Sequence, residues 1–259
     1  MPEVLDRPEA DLSDAHTKQP SLTGRKALIT GGTTGIGRAI AVLLASEGAK
    51  IFVCGRTPEH LDDALERIRE VGDGDGINVD LADRSSVDKL FEAAERSLGG
   101  LDIAVISAAL PVEGVEETAE DDLYYTTAVD FTAYLATAKA AIERMDAGSD
   151  LIFIGSMSGV SRMPGSSIYV AAKAGIEGFA QSLRKELGEK DIKVGLIEPG
   201  FTGADFHYPD IPAEKQRELI NQDQMLRAED IAVAAHFMLT QPRRTAVSLM
   251  RVETRRDHP

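Results

Sequence analysis

Tyr169 and Lys173 stand four residues apart in the segment Ile-Tyr-Val-Ala-Ala-Lys, and Ser156 lies thirteen residues before the tyrosine. At that spacing the phenol and the amine share one face of a helix. An ammonium beside a phenol favours the phenolate, so the pair is expected to draw the tyrosine pKa down from its ordinary value of about 10 toward the working pH. The Ser156 hydroxyl can donate to the same substrate oxygen. The three side chains make an acid–base set that delivers a proton to an oxygen atom or removes one. A tyrosine and a lysine four apart also describe any two residues on a helix surface. The rest of the chain has to supply the reaction.

A second cluster does so. Thr30-Gly31-Gly32-Thr33-Thr34-Gly35-Ile36-Gly37 falls between a short apolar strand, residues 26–30, and a helix over 36–47 closed by Gly48. Glycines let the backbone turn tightly and approach a pyrophosphate without a Cβ clash. The start of the helix offers free N–H groups and a partial positive charge. A Gly-rich turn in this strand-to-helix context is where a doubly wound sheet binds a dinucleotide. The end of the second strand reads Gly55-Arg56-Thr57, with no acid to bind a ribose 2′-hydroxyl. The planar guanidinium of Arg56 suits a 2′-phosphate instead, and Thr33 and Thr34 add hydroxyl donors. NADP(H) is therefore expected in preference to NAD(H).

The elements that must hold these residues alternate along the chain. Strands are expected at 26–30, 50–55, 76–79, 101–106, 151–154, 192–197 and 247–252. Helices are expected at 36–47, 58–71, 87–98 (capped by Asp83 or Ser85), 120–145, 167–187, 213–221 and 230–239. Alternation of this kind implies an α/β fold: three layers, with a parallel sheet of about seven strands covered by helices on both faces. No linker or internal repeat divides residues 23–259, which read as one dinucleotide-binding domain, and the polar residues 1–22, with Pro2, Pro8 and Pro20, read as a mobile extension.

Bulk composition narrows the setting. A formal net charge of −15 disfavours nucleic acid and anionic membranes as partners. Cys54 is the one cysteine and has no partner for an internal disulfide. No apolar run approaches the ~20 residues of a membrane helix, and the acidic N-terminus is unlike a secretory signal. A cytoplasmic location is expected. Five scattered histidines and one cysteine offer no metal-ligand spacing.

From about residue 23 onward the chain resembles the short-chain dehydrogenase/reductase family, whose members share a Rossmann-type fold. The resemblance rests on T-G-x-x-x-G-x-G at residues 30–37, Asp80-Leu81 after the third strand, Leu101-Asp102 opening the fourth, then Ser156, Tyr169, Lys173 and Pro199-Gly200. It implies that Tyr169 is the general acid in ketone reduction and the base in alcohol oxidation. Lys173 would lower the tyrosine pKa and bind the nicotinamide ribose, and Ser156 would polarise the carbonyl. Gly31, Thr33, Thr34, Gly35, Ile36, Gly37 and Arg56 would hold the phosphates. Asp80 and the Leu81 backbone would contact the adenine, and Ser107, Ala108, Pro199, Gly200 and Thr202 would border the rest of the cofactor. The resemblance also implies a homodimer or homotetramer, paired through the long helices.

Three positions depart from the family pattern. Where N-N-A-G is usual after the fourth strand, the chain reads Ile106-Ser107-Ala108-Ala109, which loses a strand-tying amide and adds a Cβ. The usual Asn of the long helix is Asp130, in Val129-Asp130-Phe131-Thr132. Its carboxylate would favour the Lys173 ammonium, partly offset the pull of that ammonium on Tyr169, and shift the pH optimum. The threonine often found three residues beyond Pro-Gly is replaced by Ala204, with Thr202 nearby.

The substrate side is expected from residues 110–117, 157–168 and 201–224, the last long enough for a lid with its own helix. Met157, Val160, Met163, Phe201, Phe206 and Tyr208 are candidates for an apolar pocket, with Asp205 and His207 as polar contacts. The function these features support is an NADP(H)-dependent oxidoreductase acting on a carbonyl or the CH–OH group of a secondary alcohol, with reduction as the cellular direction. A cofactor-binding sensor or structural subunit without turnover, and an NAD-dependent hydroxy acid or polyol dehydrogenase, are the alternatives.

Overall fold

The computed structural model describes residues 19–204, 207 and 210–256. Seven strands form one sheet: β1 Lys26–Thr30, β2 Lys50–Gly55, β3 Asp73–Asn78, β4 Leu101–Ile106, β5 Met145–Ile154, β6 Lys193–Pro199 and, last in the chain, β9 Leu249–Val252. Their order is β3-β2-β1-β4-β5-β6-β9, and every pairing is parallel. The two-residue strands β7 (Thr202–Gly203) and β8 (Leu226–Arg227) pair separately.

Side chains on successive strand positions enter two different cores, as the period-2 geometry requires. Leu28, Phe52, Ala104, Ile106 and Phe153 face one core; Ala27, Ile29, Ile51, Val53, Ile103, Val105 and Ile152 face the other. The first core is covered by α3 (Arg84–Leu98), α5 (Ala133–Ile142) and α7 (Ser167–Leu187), and the second by α1 (Gly35–Ser46), α2 (Pro58–Arg69) and α9 (Ala228–Leu239). Burial on both faces explains why the central strands are near-continuous apolar runs. The result is the doubly wound, three-layer Rossmann arrangement. Strand order reverses between β1 and β4, so the crevice for a ligand opens beyond the carboxyl ends of those two strands.

Local boundaries follow local chemistry. Asp83 caps α3 by accepting from the Ser85 N–H at 2.9 Å, and Gly99 closes it in the left-handed region at φ 67°. Asp230 accepts from the Arg227 N–H at 2.8 Å at the start of α9, so that helix opens two residues before the position expected. The third strand begins at Asp73 rather than at residue 76. Its polar, Gly-rich sequence hides a full register with β2, from Lys50↔Asp73 to Gly55↔Asn78.

The helix expected over 120–145 is the largest revision. It runs as α4 (Glu120–Thr127), a π-helical turn at Ala128–Thr132, and α5, while Met145 already belongs to β5. Short helices α6 (Ser158–Ser161) and α8 (Ala213–Asn221) and a 3-10 turn at Gly188–Lys190 complete the described structure. Among the described residues no helix is long and apolar enough to cross a membrane.

Candidate active site

A cleft of two adjoining hollows lies at the reversal point of the sheet. The first encloses about 390 Å³ and is lined by the Gly35-Ile36-Gly37 turn, Ser156, Tyr169, Lys173 and the Pro199-Gly200 turn. The second, about 340 Å³, is lined by Thr33, Arg56, His60, Asp80, Leu81 and Tyr125. Gly31, Thr34, Ala108 and Ala109 line both. Ser107 and Thr202 open on the first hollow, where Met157, Phe201 and His207 extend the wall.

At the floor of the first hollow, Ser156 Oγ accepts from the Ser158 N–H at 3.0 Å and shares a hydrogen bond with the Tyr169 hydroxyl. Lys173 is 2% exposed, and its Nζ lies 5.4 Å from the Tyr169 ring centre. The ammonium donates to Tyr134 Oη at 3.0 Å and to the Ile154 carbonyl at 3.2 Å. Burial drives the Lys173 pKa down to about 8, and the charge of Asp130 works against that fall.

Tyr169 does not show the depressed pKa its neighbour led us to expect. Burial raises it well above the ordinary value, the Asp130 charge adds to the rise, and the Ser156 hydrogen bond opposes it. The four-residue spacing carries no measure of the desolvation that falls on a tyrosine in the cleft.

Asp130 stands behind the cleft wall rather than in it. The π-helical turn places it at 0% exposure, where Oδ1 accepts from the Leu110 N–H at 2.8 Å and Oδ2 has no hydrogen-bond partner. Its neighbour Phe131 lies over Gly175 of α7, where an added Cβ would meet the ring at 2.7 Å. That close contact brings the turn up against the helix that carries Tyr169 and Lys173. Burial lifts the Asp130 carboxyl to about 6, with Lys173 and the Leu110 N–H acting in the opposite direction.

The threonine that opens the glycine-rich motif ties the strand ends together. Thr30, 1% exposed, accepts through Oγ1 from the Ser107 N–H at 3.0 Å and the Ala108 N–H at 3.4 Å. This joins the ends of β1 and β4 at the crevice. Ala204 reaches the first hollow, and Thr202 hydrogen-bonds the Gly200 carbonyl at 2.9 Å.

The second hollow contains a chain of contacts that sequence reasoning missed. Arg56 Nη1 donates to Tyr125 Oη at 3.0 Å, and the Tyr125 hydroxyl donates to Asp80 Oδ2 at 2.7 Å. Asp80 Oδ1 accepts from the Ala82 N–H at 2.9 Å. Tyr125 comes from α4, whose weakly amphipathic sequence gives no hint that one of its rings meets the end of β2.

Of the apolar candidates, Met157 and Phe201 line the first hollow, whereas Met163 is 67% exposed and is not among the lining residues. Phe201 packs edge-on against His207 with ring centres 5.0 Å apart. Asp205, Phe206 and Tyr208 lie outside the described residues.

The cradle fits a dinucleotide. A Cβ on Gly37 would lie 2.2 Å from the Gly31 carbonyl oxygen, so the turn closes only without a side chain there. Thr34, at the N-cap of α1, makes no side-chain capping bond, which leaves the first N–H groups of the helix to an anion.

The short-chain dehydrogenase family model matches residues 25–214. The chain belongs to that family of oxidoreductases. Among curated relatives, an uncharacterized oxidoreductase of Staphylococcus aureus is 33% identical over 233 residues, covering 88% of this chain and 96% of its own. Another, from Bacillus subtilis, is 36% identical over 186 residues, covering 69% of this chain and 62% of its own. A Burkholderia cenocepacia short-chain dehydrogenase solved with NADP superposes with a TM-score of 0.81 at 29% identity, covering 90% of this chain and 98% of its own. A blue fluorescent protein from a metagenomic library, solved with NADPH, gives 0.80 at 25% identity, with 91% and 98% covered.

Proposed function

We propose that this short-chain dehydrogenase is an NADP(H)-dependent reductase of a small carbonyl compound, with Tyr169 as the general acid. The observation that carries the reading is the Ser156–Tyr169 hydrogen bond at the floor of a cleft that Lys173 backs from within the core. The Pro199-Gly200 turn would border a nicotinamide, which would supply the hydride. The chain's own residues handle the oxygen. Ser156 holds and polarises the carbonyl, and Tyr169 delivers a proton to it as negative charge builds there.

Reduction is the direction of this reading: the Tyr169 phenol carries the proton that the carbonyl oxygen takes up. Lys173, buried and poised near pH 8, stabilises the phenolate left after transfer. Arg56 and His60 line the second hollow, and a guanidinium there suits a 2′-phosphate. The NADP and NADPH carried by the two superposed proteins agree with this preference.

The test is NADPH and NADH consumption against a panel of ketones and aldehydes. NADPH should give the higher kcat/KM, and Tyr169→Phe should lower kcat by about 100-fold or more, the usual worth of a positioned general acid. A preference for NADH would reject the role of Arg56. Tight NADPH binding with no turnover on any carbonyl would favour a cofactor-binding sensor.

A further inference from the structure

Lys173 is held by a residue to which no motif points. We propose that Tyr134 is a positioning residue of the active site: its buried hydroxyl fixes the Lys173 ammonium against the Ile154 carbonyl and so sets the proton affinity of the amine. The proposal rests on the reading of Tyr169 and Lys173 as the reacting pair.

Donor and acceptor roles are determined by the geometry. Tyr134 is 1% exposed and donates to the Ile154 carbonyl at 3.1 Å. A core tyrosine needs one such partner to satisfy its hydroxyl, and this bond already provides it. The contact from Lys173 Nζ, at 3.0 Å, is therefore additional, and the phenol oxygen accepts it. Nζ also donates to Ile154 at 3.2 Å and lies 4.6 Å from the Tyr134 ring centre. Two of the three ammonium donors are thus committed to the core, and the third is left for the cleft. Burial raises the Tyr134 pKa far above its ordinary value, so this group stays neutral and acts as an acceptor rather than a proton store.

The titratable groups that face Lys173 are Asp130 from the π turn, Tyr134 from α5 and Tyr169 from its own helix; β5 offers the Ile154 carbonyl. Tyr134 is in direct hydrogen-bond contact with the amine, at 3.0 Å. A neutral acceptor stabilises the ammonium without a counter-charge.

The experiment follows the 13Cε resonance of Lys173 through a pH titration of the lysine-labelled full chain, assigned with Lys173→Met. Tyr134→Phe keeps the ring and its stacking on Phe153, whose centre is 6.5 Å away. It should lower the Lys173 midpoint by about one pH unit or more, the worth of a hydrogen bond to a charged group. Phe153→Leu, which loosens the same packing without touching the amine, should lower the melting temperature and leave the midpoint in place. An unchanged midpoint in Tyr134→Phe, or an equal shift in Phe153→Leu, overturns the proposal.

Kinetics with NADPH and 9,10-phenanthrenequinone then separate this idea from the reading beneath it. Tyr134→Phe should lower kcat by about tenfold, with the quinone KM within about twofold, and move the alkaline limb to lower pH. A full-rate Tyr169→Phe would reject the reacting pair itself. An inactive Tyr169→Phe beside a wild-type Tyr134→Phe would reject the role of Tyr134 alone.

Discussion

Asp130→Asn tests the electrostatics of the site most directly. The carboxyl rises from 3.8 to about 6 in the folded protein, chiefly because burial penalises its charge. At 1.36 kcal/mol for each tenfold change in proton affinity, ionised Asp130 costs on the order of 3 kcal/mol near pH 7.5. The folded state binds the extra proton between roughly pH 4 and 6, so stability falls as pH rises through that window and stays low above it. Asparagine keeps an oxygen for the Leu110 N–H and removes the charge. The pull of Lys173 is already contained in that figure, but the new amide puts an NH2 group where Oδ2 has no partner, a burial cost of about 1–3 kcal/mol that brings the gain to an order of 1.5 kcal/mol, or about 3–6 °C in melting temperature for a domain of this size. The advantage should shrink by about 1 kcal/mol at pH 5.2, the lowest useful pH with an isoelectric point near 4.8. The same charge holds up the pKa values of both Lys173 and Tyr169. The alkaline limb of kcat/KM should therefore move to lower pH in the variant. Superimposable pH–rate profiles, together with a stability difference that does not change with pH, would refute the reasoning.

Two further outcomes follow from other parts of the fold. Gly37→Ala forces a Cβ to within 2.2 Å of the Gly31 carbonyl oxygen, and the atoms it meets are backbone. The turn must open, and NADPH affinity measured by fluorescence titration should fall at least tenfold while far-UV circular dichroism stays close to wild type. Asp150 has a 4% exposed side chain shared by Arg25 at 2.8 Å, Arg243 at 3.2 Å and Lys193 at 3.3 Å, which clamps the amino ends of β1 and β6 to the segment before β9. Asp150→Asn leaves three buried or half-buried cations without their common carboxylate and should cost about 3 kcal/mol in urea unfolding; a loss under about 0.5 kcal/mol would show that water and backbone carbonyls satisfy them.

The strand–glycine–helix unit and the Tyr–Lys spacing could be read in the sequence because each depends on neighbours within a few residues. Gly37 must be glycine for reasons local to its turn, and residues four apart on α7 share a face wherever that helix goes. The π turn could not be read: one extra residue per turn leaves no mark in a pattern of alanines and threonines. That turn decides where Asp130 points. Tyr134 and Tyr125 were missed for a related reason, since their partners lie on β5 and at the end of β2, far away in sequence. Thr30 read as the last residue of a strand, and only the register of β1 against β4 shows its hydroxyl holding two backbone N–H groups.

The departures from the family pattern differ in their electrostatic consequence. At the end of β4 an amide gives way to the apolar Ile106 and the tie to β1 is the neutral Thr30 hydroxyl, so the cleft gains no charge there. At residue 130 a neutral amide is exchanged for a carboxyl that meets one backbone N–H and leaves its second oxygen unbonded. Lys173 then feels two opposed influences: burial, which drives its proton off, and Asp130, which holds it on. The balance lies at about pH 8. An amine there is about half charged at the upper edge of the neutral range. A phenol raised by burial stays protonated well beyond it. On the proposed mechanism, the alkaline loss of activity then reports the discharge of Lys173 rather than of Tyr169, and the groups that set its position are those that touch or face the amine, Tyr134 and Asp130.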